Sequence, residues 1–325
     1  MPDKVIINGQ EILPGQNVQI NLNVAKLPTH TMIDLPVFVF RGRKKGPRLL
    51  IMAGIHGDEL NGVESIRRLI VNKSVIPNRG MVIAVPIVNV YGFLNRSRYL
   101  PDGRDLNRSF PGTKTGSLAS RVAHKLMTEI LPVIDYGIDL HTGGANDNYP
   151  QVRCTFDIPD NLTLARAFAP PFIINSKLRD DSLRKAAHEM GKTMLVFEGG
   201  EALRFDEIAI KEGMNGTKRL MKHLKMRDSK PRKLRAPVEI QSTSWIRARN
   251  SGIYRAFVNY GDPVKKNQII ASITDPFGET EHKIKSATDG HIIGVRSLPI
   301  VNRGDALINL GIEGNEDNDL ESKIG

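Results

Sequence analysis

The run Leu49-Leu50-Ile51-Met52-Ala53 leads directly into Gly54-Ile55-His56-Gly57-Asp58-Glu59, and then into a helical pattern. A short unbroken apolar run closed by glycine suits a strand buried on both faces. Beyond the loop, Leu60, Val63, Ile66 and Ile70 make an apolar stripe that predicts a helix over 59–71. Strand, loop and amphipathic helix together are the building unit of a layered α/β fold. The same grammar recurs downstream. Buried strands are predicted at 48–53, 81–85, 136–140 and 194–197, and a helix at 118–131 carries Val122, Leu126 and Ile130 on one face. Before position 46, β-like runs at 5–7, 18–23 and 35–40 alternate with Gly and Pro. The expectation is an α/β sheet with helices on both faces.

The polar residues are placed informatively. His56, Glu59, Asn89, His141 and Glu198 each fall just past the end of a predicted strand. Open α/β sheets bind ligands outside the carboxyl ends of their strands. His56 and Glu59, three residues apart, can turn toward one point, and His141 in Asp139-Leu140-His141-Thr142-Gly143-Gly144 can complete a His-Glu-His set. Three protein ligands with a position left for water describe a catalytic zinc site. There zinc lowers the pKa of water to roughly 7 and polarises a carbonyl. Each of these histidines has an aspartate close in sequence, Asp58 and Asp139. His30, His124, His188, His223, His282 and His291 lack that setting and read as surface or satisfied interior histidines.

Hydrolysis also requires a proton carrier. Glu198, in Leu195-Val196-Phe197-Glu198-Gly199-Gly200, ends an apolar strand and suits general base and acid work, with Glu201 as the local competitor. The phrase Arg104-Asp105-Leu106-Asn107-Arg108 offers amide and guanidinium donors that fit a carboxylate, or else a structural salt-bridge cluster.

Composition narrows the classes. The chain has 325 residues, which favours two domains, and 40% hydrophobic content, enough for a sizeable core. Its single cysteine, Cys154, excludes an intrachain disulfide and points to a reducing compartment. There is no secretory pattern at the start and no run near the roughly 20 apolar residues of a membrane span, so a cytoplasmic protein without a membrane partner is expected. The net charge is +11. Much of the excess lies at 211–235, where ten basic residues face only Glu212 and Asp228. No aromatics interleave there, so a solvated helix face running into a linker is preferred to a nucleic-acid surface. The excess also gives a long-range field that attracts anions.

Residues 231–237 read as a linker, and β patterns dominate beyond it. Tyr260-Gly261-Asp262-Pro263-Val264 and Arg303-Gly304-Asp305-Ala306-Leu307 suggest a two-fold β unit. The expected division is 1–232, 237–312, and an acidic, disordered tail at 313–325.

Taken together, the phrases around His56, Asn107, His141 and Glu198 resemble, in order, those of the succinylglutamate desuccinylase/aspartoacylase family, a branch of the zinc carboxypeptidase-like fold. The resemblance covers most of 46–200. It implies a mixed sheet plus a small C-terminal β-barrel with the pattern of lipoyl and biotinyl carriers. It implies one zinc per chain on His56, Glu59 and His141, with Glu198 as general base and acid. It implies that Asn107 and Arg108 hold the carboxylate of an N-acyl amino acid and that Arg98 polarises the scissile carbonyl. Arg184 is the candidate for a further substrate arginine, and Tyr254 for a C-terminal substrate tyrosine that no motif marks. A carrier would need a lysine at the hairpin tip 274–278, which has none, so the C-terminal unit reads as a wall of the site. The implied reaction is deacylation of a small N-acyl amino acid. The rivals are a metallocarboxypeptidase acting on a peptide with a free carboxylate, and a non-catalytic metal- or nucleic-acid-binding protein. A homo-oligomer is left open.

Overall fold

The computed structural model describes residues 4–26, 30, 32–228 and 236–314. Most of the expected linker at 231–237, the basic residues at 230–235 and the tail from 315 onward lie outside the described residues. The chain opens with a hairpin of β1 (Val5–Ile7) and β2 (Gln10–Ile12). Then come β3 (Asn17–Lys26), β4 (Met32–Arg41), β5 (Lys44–Ala53), α1 (Leu60–Val71), β6 (Arg79–Val85) and the short α2 (Val90–Asn95). Next, α3 (Leu118–Lys125) runs on through π and 3-10 turns to Val133. It leads into β7 (Tyr136–Gly143), β8 (Asn146–Cys154), α4 (Pro159–Phe168), β9 (Phe172–Asn175), α5 (Leu183–Glu189), β10 (Thr193–Glu201) and α6 (Glu207–His223). The C-terminal part is all β: β11 (Val238–Arg247), β12 (Gly252–Ala256), β13 (Pro263–Val264), β14 (Ile269–Thr274), β15 (Glu281–Lys285), β16 (Gly290–Arg296), β17 (Ile300–Val301) and β18 (Ala306–Glu313).

The main sheet has twelve strands in the order β3-β4-β6-β5-β7-β10-β8-β9-β11-β18-β16-β13. It is mixed. β6, β5, β7 and β10 run parallel, while β4 joins β6, and β8 joins β10, antiparallel. The unbroken apolar run of β5 now has its reason. Leu50 and Met52 enter a core shared with α3, α5 and the N-terminal strands, while Leu49, Ile51 and Ala53 enter a second core under α1, α4 and α6. The expected strands and the helices after β5 and before β7 are found; β8, β9, α2, α4 and α5 are additional.

The C-terminal strands continue this sheet. β11 pairs with β9, and β16 returns to pair with β8, so β8, β9, β11, β18 and β16 close a five-stranded barrel. Its interior holds Phe172, Ile174, Ile240 and Ile293, with Tyr149 against them. The closure needs Gly294, because a Cβ there would stand 2.2 Å from Asn148 Oδ1. A second sheet, β17-β12-β14-β15, packs over a separate core that contains Tyr254. β18 remains in its ladder to Glu313, the first residue of the expected tail.

Candidate active site

The polar strand ends converge on a cleft of about 310 Å³ at the carboxyl end of the parallel strands. His56 and Glu59 come from the loop between β5 and α1. Gly54, with φ +63°, turns the chain, and backbone hydrogen bonds from Val88 and Asn89 to Ala53 and Gly54 tie the loop to the end of β6. Gly57 allows contact with α2, since a Cβ there would meet the Gly92 carbonyl carbon at 1.8 Å. Glu59 is the residue that precedes the first turn of α1. His141 and Glu198 are strand residues, side by side on the parallel pair β7 and β10.

His56, Glu59 and His141 are all buried, and one ligand atom of each lies within 4.8 Å of the others. Glu59 bridges the rings: Oε1 is 2.6 Å from His56 Nδ1, and Oε2 is 3.0 Å from His141 Nδ1. The opposite ring nitrogens rest on carboxylates, His56 Nε2 on Asp105 Oδ1 at 3.1 Å and His141 Nε2 on Asp139 Oδ2 at 2.8 Å. This is how metal-binding imidazoles are oriented, with one nitrogen facing the ion and the other anchored by a carboxylate. Two imidazoles and a carboxylate are also a donor set that zinc accepts. The residues therefore fit the ion.

Electrostatics binds the group together. Burial opposes charge on Glu59, but His56 and His141 outweigh it and hold its carboxyl well below the usual range. Burial likewise opposes charge on both rings, and the surrounding carboxylates overcome it, so both histidines titrate above the ordinary value. Arg98 lies alongside. Its guanidinium donates to Asp105 Oδ2 at 2.9 and 3.2 Å and to Glu59 Oε1 at 3.4 Å. Burial works against its charge too, but Asp105 and Glu59 raise its pKa.

Glu198, the expected proton carrier, lines the cleft, with Arg153 Nη1 3.7 Å from its Oε1. Glu201, its competitor, pairs with Arg204 at 3.4 Å. Asn107 lines the cleft and accepts the Leu183 N–H on its Oδ1 at 3.0 Å. Arg108 lines the cleft close to Arg179, and its pKa falls through burial and that neighbouring charge. Arg184 also lines the cleft, but its guanidinium donates to the carbonyls of Arg153, Ser176 and Lys177. Burial lowers its pKa to about 10. Asn89 caps α2, accepting from Gly92 N at 2.8 Å. Tyr254 is buried in the C-terminal core and does not reach the cleft; the C-terminal strand β11 supplies Trp245 instead. The aspartate behind His56 is Asp105, not Asp58.

Residues 45–224, more than half of the chain, match the model of the succinylglutamate desuccinylase/aspartoacylase catalytic domain. The chain belongs to that family. A curated relative, the N-alpha-acetyl-L-2,4-diaminobutyric acid deacetylase of Halomonas elongata, is 29% identical over 295 residues, 85% of this chain and 84% of the relative. Among solved structures, a succinylglutamate desuccinylase/aspartoacylase from Rhodobacter sphaeroides superposes with a TM-score of 0.82 at 23% identity, over 93% of this chain and 96% of that one. The product-bound ectoine utilization protein EutE (DoeB) of Ruegeria pomeroyi gives 0.80 at 21% identity, over 91% and 95%. These structures share the desuccinylase/aspartoacylase fold with this chain.

Asp105, Arg153, Arg179 and Trp245 are cleft residues, or direct supports of it, that sequence reading did not assign. Asp105 had a signal, since it begins the phrase Asp105-Leu106-Asn107-Arg108. The other three had none. Among the described residues no helix is long and apolar enough to cross a membrane. The described part of the basic window comprises most of α6 and residues 224–228 beyond it. There Lys211 pairs with Glu207, Arg219 with Glu212, and Arg227 with the Ser74 carbonyl.

Proposed function

We propose that this protein is a zinc-dependent deacylase that hydrolyses the amide bond of an N-acyl amino acid. One observation carries the reading: the His56-Glu59-His141 set, the Glu198 carboxylate and the Asn107-Arg108 pair all line one cleft. A zinc ion held by the triad supplies Lewis acidity, which makes a water acidic near neutral pH and polarises a carbonyl.

The chain's own residues do the rest. Glu198 takes a proton from the attacking water and returns it to the leaving amine. Arg98, whose Nη1 is 3.2 Å from His56 Nδ1, is placed to hold the carbonyl oxygen as negative charge develops on it. Asn107 Nδ2 and Arg108 grip the substrate carboxylate and fix the approach. Arg179 adds a second positive charge beside Arg108. Arg184 serves the cleft by fastening the loop that carries Ser176 and Lys177. The C-terminal unit, 237–312, which we read as lipoyl-like in pattern, acts as a wall through Trp245. The name of the Halomonas elongata relative favours an acetyl group as the acyl portion.

The test is Glu198→Gln. Turnover of acetyl, succinyl and aspartyl amino acids, read by amine release, should vanish while metal analysis still finds one zinc per chain. Loss of zinc would make Glu198 a ligand. Cleavage of peptides in preference to N-acyl amino acids would replace the deacylase by a carboxypeptidase.

A further inference from the structure

Gln151 lies on β8, opposite Glu198 on β10 and opposite Phe172 on β9. Cross-strand partners project from the same face, with Cβ atoms about 5 Å apart. Phe172 belongs to the apolar filling of the barrel, so Gln151 stands between that filling and the carboxylate of the cleft. The Gln151 residue is 0% exposed. Among the described residues neither its Oε1 nor its Nε2 has a hydrogen-bond partner. A fully buried amide with both ends unpaired is an arrangement that folds rarely retain.

Glu198 has the matching deficit. Among the described residues its polar neighbour is Arg153, at 3.7 Å, which is too far for a hydrogen bond. An unpartnered amide and a carboxylate without a hydrogen bond therefore face each other across one ladder pair. Gln and Glu side chains have the same length and leave adjacent strands on the same face, so a change of side-chain torsions can bring an amide N–H to a carboxylate oxygen.

We propose that Gln151 is a positioning residue for Glu198. Its N–H holds one carboxylate oxygen, and the other is thereby directed toward the attacking water. A neutral donor fixes the direction of the carboxylate without adding a second cation beside Arg153. The proposal rests on Glu198 being the general base.

Gln151→Met keeps the length of the side chain and removes both polar atoms. The expected result is a kcat lower by about tenfold, the equivalent of one lost hydrogen bond in the transition state. KM should stay within about twofold and zinc content unchanged. The melting temperature should stay within about 4 °C of the parent's, because methionine keeps the apolar packing and the hydrogen bond it removes contributes only about 1 kcal/mol. Gln151→Leu repeats the test with a different shape, in case the methionine variant folds poorly. An unchanged kcat overturns the proposal. So does a loss of kcat that merely tracks a loss of melting temperature, or a rise in KM alone. Glu198→Gln is run in parallel. If that variant remains active, the assignment of the base has failed; if it is inactive while Gln151→Met is normal, only the role of Gln151 has failed.

Discussion

Replacing Asp105 by asparagine removes one negative charge behind His56 and leaves much of its surroundings intact. Asp105 Oδ1 accepts from His56 Nε2 at 3.1 Å and also caps a short turn by accepting from Asn107 N at 2.8 Å. Asparagine keeps an acceptor for that cap, so Asn107 and Arg108 stay in place. The charge itself matters because its side chain is only 15% exposed. At an effective dielectric near 20, two unit charges about 4 Å apart interact by roughly 4 kcal/mol. Solvent relaxation and the remaining amide hydrogen bond return part of that, leaving a loss of about 2 kcal/mol, or roughly thirtyfold, within the range for carboxylates behind metal ligands. Arg98 also loses its nearest carboxylate, at 2.9 Å, so its existing charge is less compensated. The assay is zinc competition against a chelating dye at neutral pH. Asp105→Asn should weaken zinc by roughly 10- to 100-fold, and Asp58→Asn by no more than about twofold. Wild-type affinity in Asp105→Asn, or a larger loss in Asp58→Asn, refutes the reasoning.

Arg108→Ala should raise KM about tenfold or more for substrates with a free carboxylate, as loss of a charge-assisted contact predicts, and leave the corresponding amides unaffected; equal effects on both would remove the clamp. Asp147, crowded by Asp206 and Glu201, has its pKa pushed up by burial and those charges from 3.8 to about 6. A raised carboxyl binds its proton more tightly in the folded state, so it lowers stability as pH rises from about 4 through 6 and the full loss is present above. The shift sets a ceiling of about 3 kcal/mol, and partial solvation reduces it to about 1. Asp147→Asn should therefore stabilise the protein at about pH 8 and have little effect at about pH 4, as read by chemical denaturation; equal effects at both would contradict the assignment.

The layered α/β core and the candidate metal set were legible in the chain alone. β5 is legible because burial on both faces demands an unbroken apolar run, and His56 and Glu59 are legible because both sit on one short loop. Glu198 could be picked out as the first acid to close an apolar strand, ahead of Glu201. Strand β8 was not legible. Asn146-Asp147-Asn148-Tyr149-Pro150-Gln151 reads as a loop, and only ladders with β10 on one edge and with β9 and β16 on the other make it a strand. The partners of His56 divide in the same way. Asp58 is two residues away in the chain, yet Asp105 carries the contact, because the segment after α2 folds back over the β5 loop. Arg184 shows the limit in reverse: a guanidinium near the site looks like a substrate ligand until the carbonyls that occupy it are seen. Local pattern fixes which residues can do the chemistry. Which atoms meet depends on contacts between segments far apart in the chain, and only the folded molecule supplies them.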